Sequence, residues 1–84
     1  MIRIQVVGPG CANCQRLAAL CKEVVADSDV AAEIEKVTDF TRFADLGIML
    51  TPGLVIDGVV KSAGKIPVKS TLSHWIADAA AGGN

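Results

Sequence analysis

The sequence contains no apolar run approaching the roughly 20 residues that a helix needs to cross a bilayer. It also lacks an excess of either charge. Eight Lys and Arg stand against nine Asp and Glu, for a formal charge of −1, and the two signs are interspersed. No basic stripe is present to gather nucleic acid or an anionic membrane surface. Aromatic residues are scarce, with one Trp, two Phe and no Tyr. Trp75 falls at helical spacing among apolar neighbours, so it reads as core and not as a base-stacking platform; Phe40 and Phe43 read as core as well. There is no repeat, no linker and no low-complexity segment beyond the closing "AAAGGN". At 84 residues the chain has room for one core and no second domain. We therefore expect a single domain over residues 1–79 and a frayed tail over residues 80–84. "MIRIQVV" enters strand alternation directly, without a charged-then-apolar leader, and the expected location is cytoplasmic.

An even, dispersed set of cysteines is missing too. Cys11, Cys14 and Cys21 are three in number and all early in the chain, unlike the framework of a secreted disulfide scaffold. A bridge between Cys11 and Cys14 would close a tiny loop and remove little unfolded-state entropy, which makes it a poor staple. Two chemical uses remain for the pair, electron exchange and metal binding. Two thiolates at this spacing can hold a soft ion such as Cu(I). A structural zinc site would need four ligands, and Cys21 and His74 are badly placed to supply the other two. Cys21 lies seven residues beyond Cys14, about 10 Å along a helix, which is too far to bridge and suits a buried spectator thiol. His74 falls off the apolar stripe around it and reads as solvated.

The chain then divides by period. Ile2, Ile4 and Val6 alternate with Arg3, Gln5 and Val7 as a strand does, and Gly8, Pro9 and Gly10 end it. From Cys11, the residues Cys14, Leu17, Ala18, Cys21, Val24 and Val25 share one face of a helix, which "DSD" at Asp27 to Asp29 terminates. A second strand is expected over Val30 to Val37, with Val30, Ala32 and Ile34 inward. Thr38 is the expected N-cap of a short helix carrying Phe40, Phe43 and Ala44, with Gly47 at its left-handed end. Leu54, Val55 and Ile56 form an apolar strand, Asp57-Gly58 is a two-residue hairpin signal, and Val59 to Ser62 pairs back. Pro67 fits the first position of a last helix, whose inward face holds Val68, Leu72, Trp75, Ile76 and Ala79. The order βαβαββα makes the first two strands parallel, with a right-handed crossover. The expected fold is α/β, a four-stranded mixed sheet with helices on both faces.

That order places "CANC" (Cys11 to Cys14) directly after the first strand and "TPGLVIDG" (Thr51 to Gly58) at the third. Together they resemble the thioredoxin superfamily over essentially the whole chain. Within it the match is to the short archaeal and bacterial group described as glutaredoxin-like thioredoxins or small redox-active disulfide proteins. Members of that group read Gly-x-Gly-Cys-x-x-Cys and then Thr-Pro-x-Leu-Val-Ile-Asp-Gly. The resemblance implies a thioredoxin-like fold, a cis Thr51-Pro52 bond beside the cysteines, and a thiol–disulfide oxidoreductase that reduces protein disulfides. It implies no cofactor, no resident metal and a monomer. Heavy-metal-binding domains also carry Cys-x-x-Cys on a loop entering a helix. They differ in element order and usually have Met shortly before the first Cys, where this chain has Gly-Pro-Gly.

The chemistry of such a site asks for these residues. A free cysteine near pKa 8.5 is mostly protonated at neutral pH, and the thiolate is the nucleophile. Cys11 at a helix start would have its thiolate favoured by unpaired backbone N–H groups and the positive end of the dipole. Cys14, one turn on, is about 5–6 Å away and within bridging reach. Cys11 is thus expected to attack a substrate disulfide, and Cys14 to resolve the mixed disulfide. Gly10, Ala12 and Asn13 surround the pair and are expected to bind substrate with Thr51 and Pro52. Ala12 and Asn13 also tune its potential, and the backbone of Thr51 beside Pro52 is expected to receive a substrate strand. Met49 and Leu50 either rim a substrate groove or simply pack within their loop. Glutaredoxins hold glutathione partly through acidic residues at the start of the last helix, and "SAGKIPVK" offers none. The expected electron donor is therefore a flavoprotein of the thioredoxin-reductase type.

Overall fold

A computed structural model describes residues 1–82. The first strand, β1 (Ile2–Val7), explains the centre of the sheet. Ile2, Ile4 and Val6 face one layer, while Gln5 and Val7 face the other, and all five are buried. A strand covered on both faces belongs in the interior of a sheet. β1 runs parallel to β2 (Ala32–Val37), with Ile4 opposite Ile34, and antiparallel to β3 (Gly53–Ile56), with Ile4 opposite Ile56. β4 (Val59–Ala63) completes the order β2-β1-β3-β4. Asp57 and Gly58 both take positive φ, 49° and 83°, as a two-residue hairpin turn of the mirror-image type I requires.

Helix α1 (Ala12–Ser28) lays Leu17, Ala18, Cys21 and Val24 onto the sheet beside Ile4, Val6, Leu54 and Ile56. Its C-terminus shortens the second strand. Asp29 turns left-handed at φ 52°, and the Val30 N–H reaches back to the Val25 carbonyl, the closure known as a Schellman motif. Val30 is therefore spent on the helix end, and pairing begins at Ala32 instead of Val30. Helix α3 (Lys69–Ala80) joins the same core through Leu72, Ile76 and Ala79, with Trp75 half-buried. It has no side-chain cap, so burial holds it; each fully buried Leu or Ile contributes about 1.5–3 kcal/mol. Val68 is extended and caps the helix, which puts Pro67 before the cap and not at the first helical position, and leaves Val68 exposed. The helix reaches Ala80, one residue into the stretch expected to fray. Gly83 and Asn84 lie outside the described residues.

The opposite face of the sheet carries the short α2 (Phe40–Asp45). Here Val7, Val37 and Val55 meet Phe43 and Ile48. Asp39, not Thr38, is the cap: its Oδ1 accepts from the Thr41 N–H at 3.0 Å and the Thr41 hydroxyl at 2.7 Å. Starting the helix one residue later puts Phe40 in its first turn, on the open side of Phe43. Its ring leans on Phe43 with centroids 5.1 Å apart and remains 70% exposed, so it is not a core residue. Gly47, at φ 78°, ends α2 and turns Ile48 inward.

Candidate active site

The C-terminal end of β1, the start of α1 and the loop before β3 meet at one pole of the molecule. Cys11 is the N-cap of α1, with an extended backbone (φ −66°, ψ 170°), and its carbonyl accepts the first helical bond, from the Gln15 N–H at 3.0 Å. Its Sγ accepts from the Cys14 N–H at 3.4 Å and lies 2.7 Å from Cys14 Sγ, with both cysteines free. Cys11 is exposed, whereas Cys14 faces inward and retains 5% of its surface. Ala12 and Asn13 form the exposed first turn between them. Gly10 stands at φ 90°, with open space where a Cβ would be. That glycine serves the turn, not a close approach, and the Gln15 side chain fixes the turn by donating to the Gly10 carbonyl at 3.1 Å.

This geometry sets the two thiols apart. The Cys14 thiol, donating to the Cys11 sulfur, is the largest influence holding Cys11 below its ordinary value, and the Cys14 backbone N–H adds to it. The sequence had pointed to the helix terminus alone; its amide takes part, but the partner thiol comes first. Cys14 moves the opposite way. Burial pushes it up, and its bond to Cys11 favours the protonated form further. The pair thus holds one sulfur suited to attack and one suited to keep its proton until it is needed.

Gly8, the first glycine of the Gly-x-Gly-Cys motif, has a part in the site that sequence reasoning missed, having assigned it no role beyond ending a strand. Its N–H bonds to the Val37 carbonyl at 2.9 Å. A Cβ at Gly8 would come closer than 3.0 Å to Cys14 Sγ and within 3.5 Å of the Thr51 Cβ. The bare backbone at this point lets Cys14 and Thr51 approach β1 together. The Thr51-Pro52 peptide is cis, Thr51 is exposed, and Pro52 is buried. The Pro52 carbonyl is tied to the Gly64 N–H at 2.9 Å. Leu50 rests its side chain over Gly64, yet Leu50 and Met49 remain 64% and 92% exposed beside the site.

The residues outside this cluster are separate from it. Cys21 is fully buried in the core of α1, and burial raises its thiol to about 12. His74 is exposed on α3. Among the described residues, no three His, Cys, Asp or Glu side chains group to hold a metal ion, and no helix is long and apolar enough to cross a membrane.

The fold order, the cysteine pair at the head of α1 and the adjoining proline loop agree with a match across the chain: the family model for the thioredoxin domain covers residues 2–77. The chain belongs to the thioredoxin family. It is similar to a protein named thioredoxin from Methanothermobacter thermautotrophicus, 36% identical over 72 residues, which are 86% of this chain and 94% of that relative. It is similar also to a thioredoxin of Methanocaldococcus jannaschii, 37% identical over 80 residues, 90% of this chain and 92% of the relative. With this membership, the chain is a thiol–disulfide oxidoreductase.

Proposed function

We propose that Cys11 and Cys14 are the redox couple of this oxidoreductase and that its substrates are protein disulfides. The observation that carries the reading is the asymmetric sulfur pair: an exposed Cys11 whose thiolate is favoured, 2.7 Å from a buried Cys14 whose thiol is favoured. The Cys11 thiolate attacks one sulfur of the substrate disulfide. The substrate S–S bond breaks, a mixed disulfide forms, and the departing thiolate takes up a proton. Cys14 then loses its proton and attacks Cys11 Sγ, which closes the Cys11–Cys14 disulfide and releases the second substrate thiol. Two electrons pass to the substrate, and a flavoprotein of the thioredoxin-reductase type returns them. Thr51, exposed and making no backbone hydrogen bond with another described residue, offers its main chain to a substrate strand. The cysteines and the proline loop come from one chain, so the proposed chemistry needs no second copy and suits a monomer. A disulfide-reducing role suits the cytoplasm, where thiols are kept reduced.

Titration in dithiothreitol redox buffers, with alkylation, intact mass and metal content read on one sample, tests this. A reversible two-proton mass change at Cys11 and Cys14 in metal-free protein is expected. Cys11→Ser should abolish exchange, and Cys14→Ser should accumulate mixed disulfides. Full turnover by Cys11→Ser, or a stoichiometric soft metal that shields the pair under reducing conditions, would overturn the reading.

A further inference from the structure

The active-site pole has a second flank, which Cys14 lines and Thr51 does not. Between α1 and β2 lies a pocket of about 360 Å³ with Val6, Gly8 and Cys14 among its lining residues. It exists because the α1 residues above it are small: Ala18 and Ala19 leave unfilled the space that larger side chains would take. Along the same stripe of α1, Gln15 stands at the cysteine end and Lys22 two turns further on, about 12 Å from Cys14 along the axis. Lys36 and Thr38 approach from β2. No acidic residue lines the pocket. Of the cations elsewhere, Arg3 and Arg42 pair with Glu35 and Lys69 pairs with Glu23 and Asp27, while Arg16, Lys61 and Lys65 are unpaired among the described residues but do not line the pocket. Lys22 and Lys36 make no ion pair with a described residue. Two unpaired cations over an apolar floor that ends at a thiol fit a ligand with an anionic end and a sulfur end.

We propose that this pocket is the subsite for the anionic half of a small disulfide substrate, its carboxylate held between Lys22 and Lys36 and its sulfur beside the cysteine pair. The assignment rests on the reading of Cys11 and Cys14 as the redox couple. The Cys11 thiolate attacks the near sulfur, the S–S bond of the ligand breaks, and the first thiol leaves with a proton. Cys14 displaces the second thiol as the Cys11–Cys14 disulfide closes, so two protein thiols become one disulfide and one small disulfide becomes two thiols.

Two chromogenic disulfides separate this from general reactivity: dithiobis(nitrobenzoate), which is a dicarboxylate, and dithiodipyridine, which is uncharged. The Lys22→Gln/Lys36→Gln protein is expected to react with the dicarboxylate roughly fivefold more slowly, as the loss of two exposed charge contacts implies. Its rate with the uncharged disulfide should be unchanged. Lys61→Gln/Lys65→Gln removes the same net charge on the far side of the site and should alter neither rate. Equal slowing with both disulfides, or the same selective slowing in the Lys61/Lys65 control, would overturn the pocket in favour of a general effect. A second readout omits sulfur: nitrobenzoate should shift the backbone amide resonances of Ala19, Lys22, Lys36 and Thr38, and not in the Lys22/Lys36 variant. Absent shifts would defeat the pocket even if exchange proceeds. Shifts in a protein that reduces neither disulfide would instead defeat the redox reading, and the substrate assignment with it, leaving anion binding alone.

Discussion

A single methyl group at Gly8 would test how tightly the site is drawn together. Gly8 has ordinary backbone angles and is not required by a turn, so the case for glycine there is spatial: Cys14 Sγ occupies the place of its Cβ. In Gly8→Ala the sulfur must rotate away from Cys11 or the strand end must shift. Rotation of the sulfur breaks the 2.7 Å contact that lowers Cys11, and the crowding, however it is relieved, should cost about 1–3 kcal/mol. Urea unfolding of the reduced protein, with the dithiol–disulfide midpoint measured beside it, checks both effects. A variant with wild-type stability and midpoint would show that the close approach constrains nothing. The motif includes this glycine, but its role was not legible in the sequence for a definite reason. Cys11 and Cys14 announce themselves by chemistry and spacing, and Thr51-Pro52 by resemblance, whereas a glycine chosen for absence of volume is revealed only by what packs against it. Gly10, two positions on, lies beside the motif, yet a Cβ there would meet nothing.

At the scale of elements, period revealed more than caps did. The apolar stripe of α1 followed from spacing and the strand at Leu54 to Ile56 from its unbroken apolar run, and the Asp57-Gly58 turn from local chemistry. Apart from Val30, which the end of α1 takes from the second strand, the errors collect at helix starts, where two neighbours compete for one role. Thr38 and Asp39 can both cap, but Asp39 bonds both the N–H and the hydroxyl of Thr41, and the helix begins after it. Phe40 and Pro67 were misplaced through the same one-residue ambiguity. Asp39→Ala should therefore lower stability by about 1 kcal/mol, with α2 fraying and loosening Phe43 and Ile48 against the sheet. Thr38→Ala should cost only a few tenths, within the range of ordinary surface changes. Denaturant midpoints of the two variants decide the matter, and a larger loss for Thr38→Ala would return the cap to that residue.

The molecule as a whole has its main core on one side of the sheet, and Cys21 sits fully buried within it, outside the redox chemistry. Its thiol titrates at about 12 in the folded chain instead of the ordinary 9.0, because burial disfavours the thiolate. Between those values the unfolded chain has already released this proton while the folded chain keeps it. The unfolded state therefore binds fewer protons, and stability falls as pH rises through the window. At about 1.4 kcal/mol per pH unit the full effect is about 4 kcal/mol, a large share of the 5–15 kcal/mol typical of a folded domain. Other groups titrate in the same range. Lys69, held charged by Glu23 and Asp27, loses that pairing there, and Cys11 and Cys14 pull in opposite directions; with no tyrosine in the chain, no phenol contributes. Comparison with Cys21→Ala isolates the buried thiol, since every other group is common to both proteins. At neutral pH the variant should be the less stable, for want of the sulfur's packing. Its deficit should then shrink as pH rises above about 9, until the two curves meet or cross in reduced protein followed by urea unfolding. Parallel curves across that range would mean that the core admits the Cys21 thiolate as readily as water does.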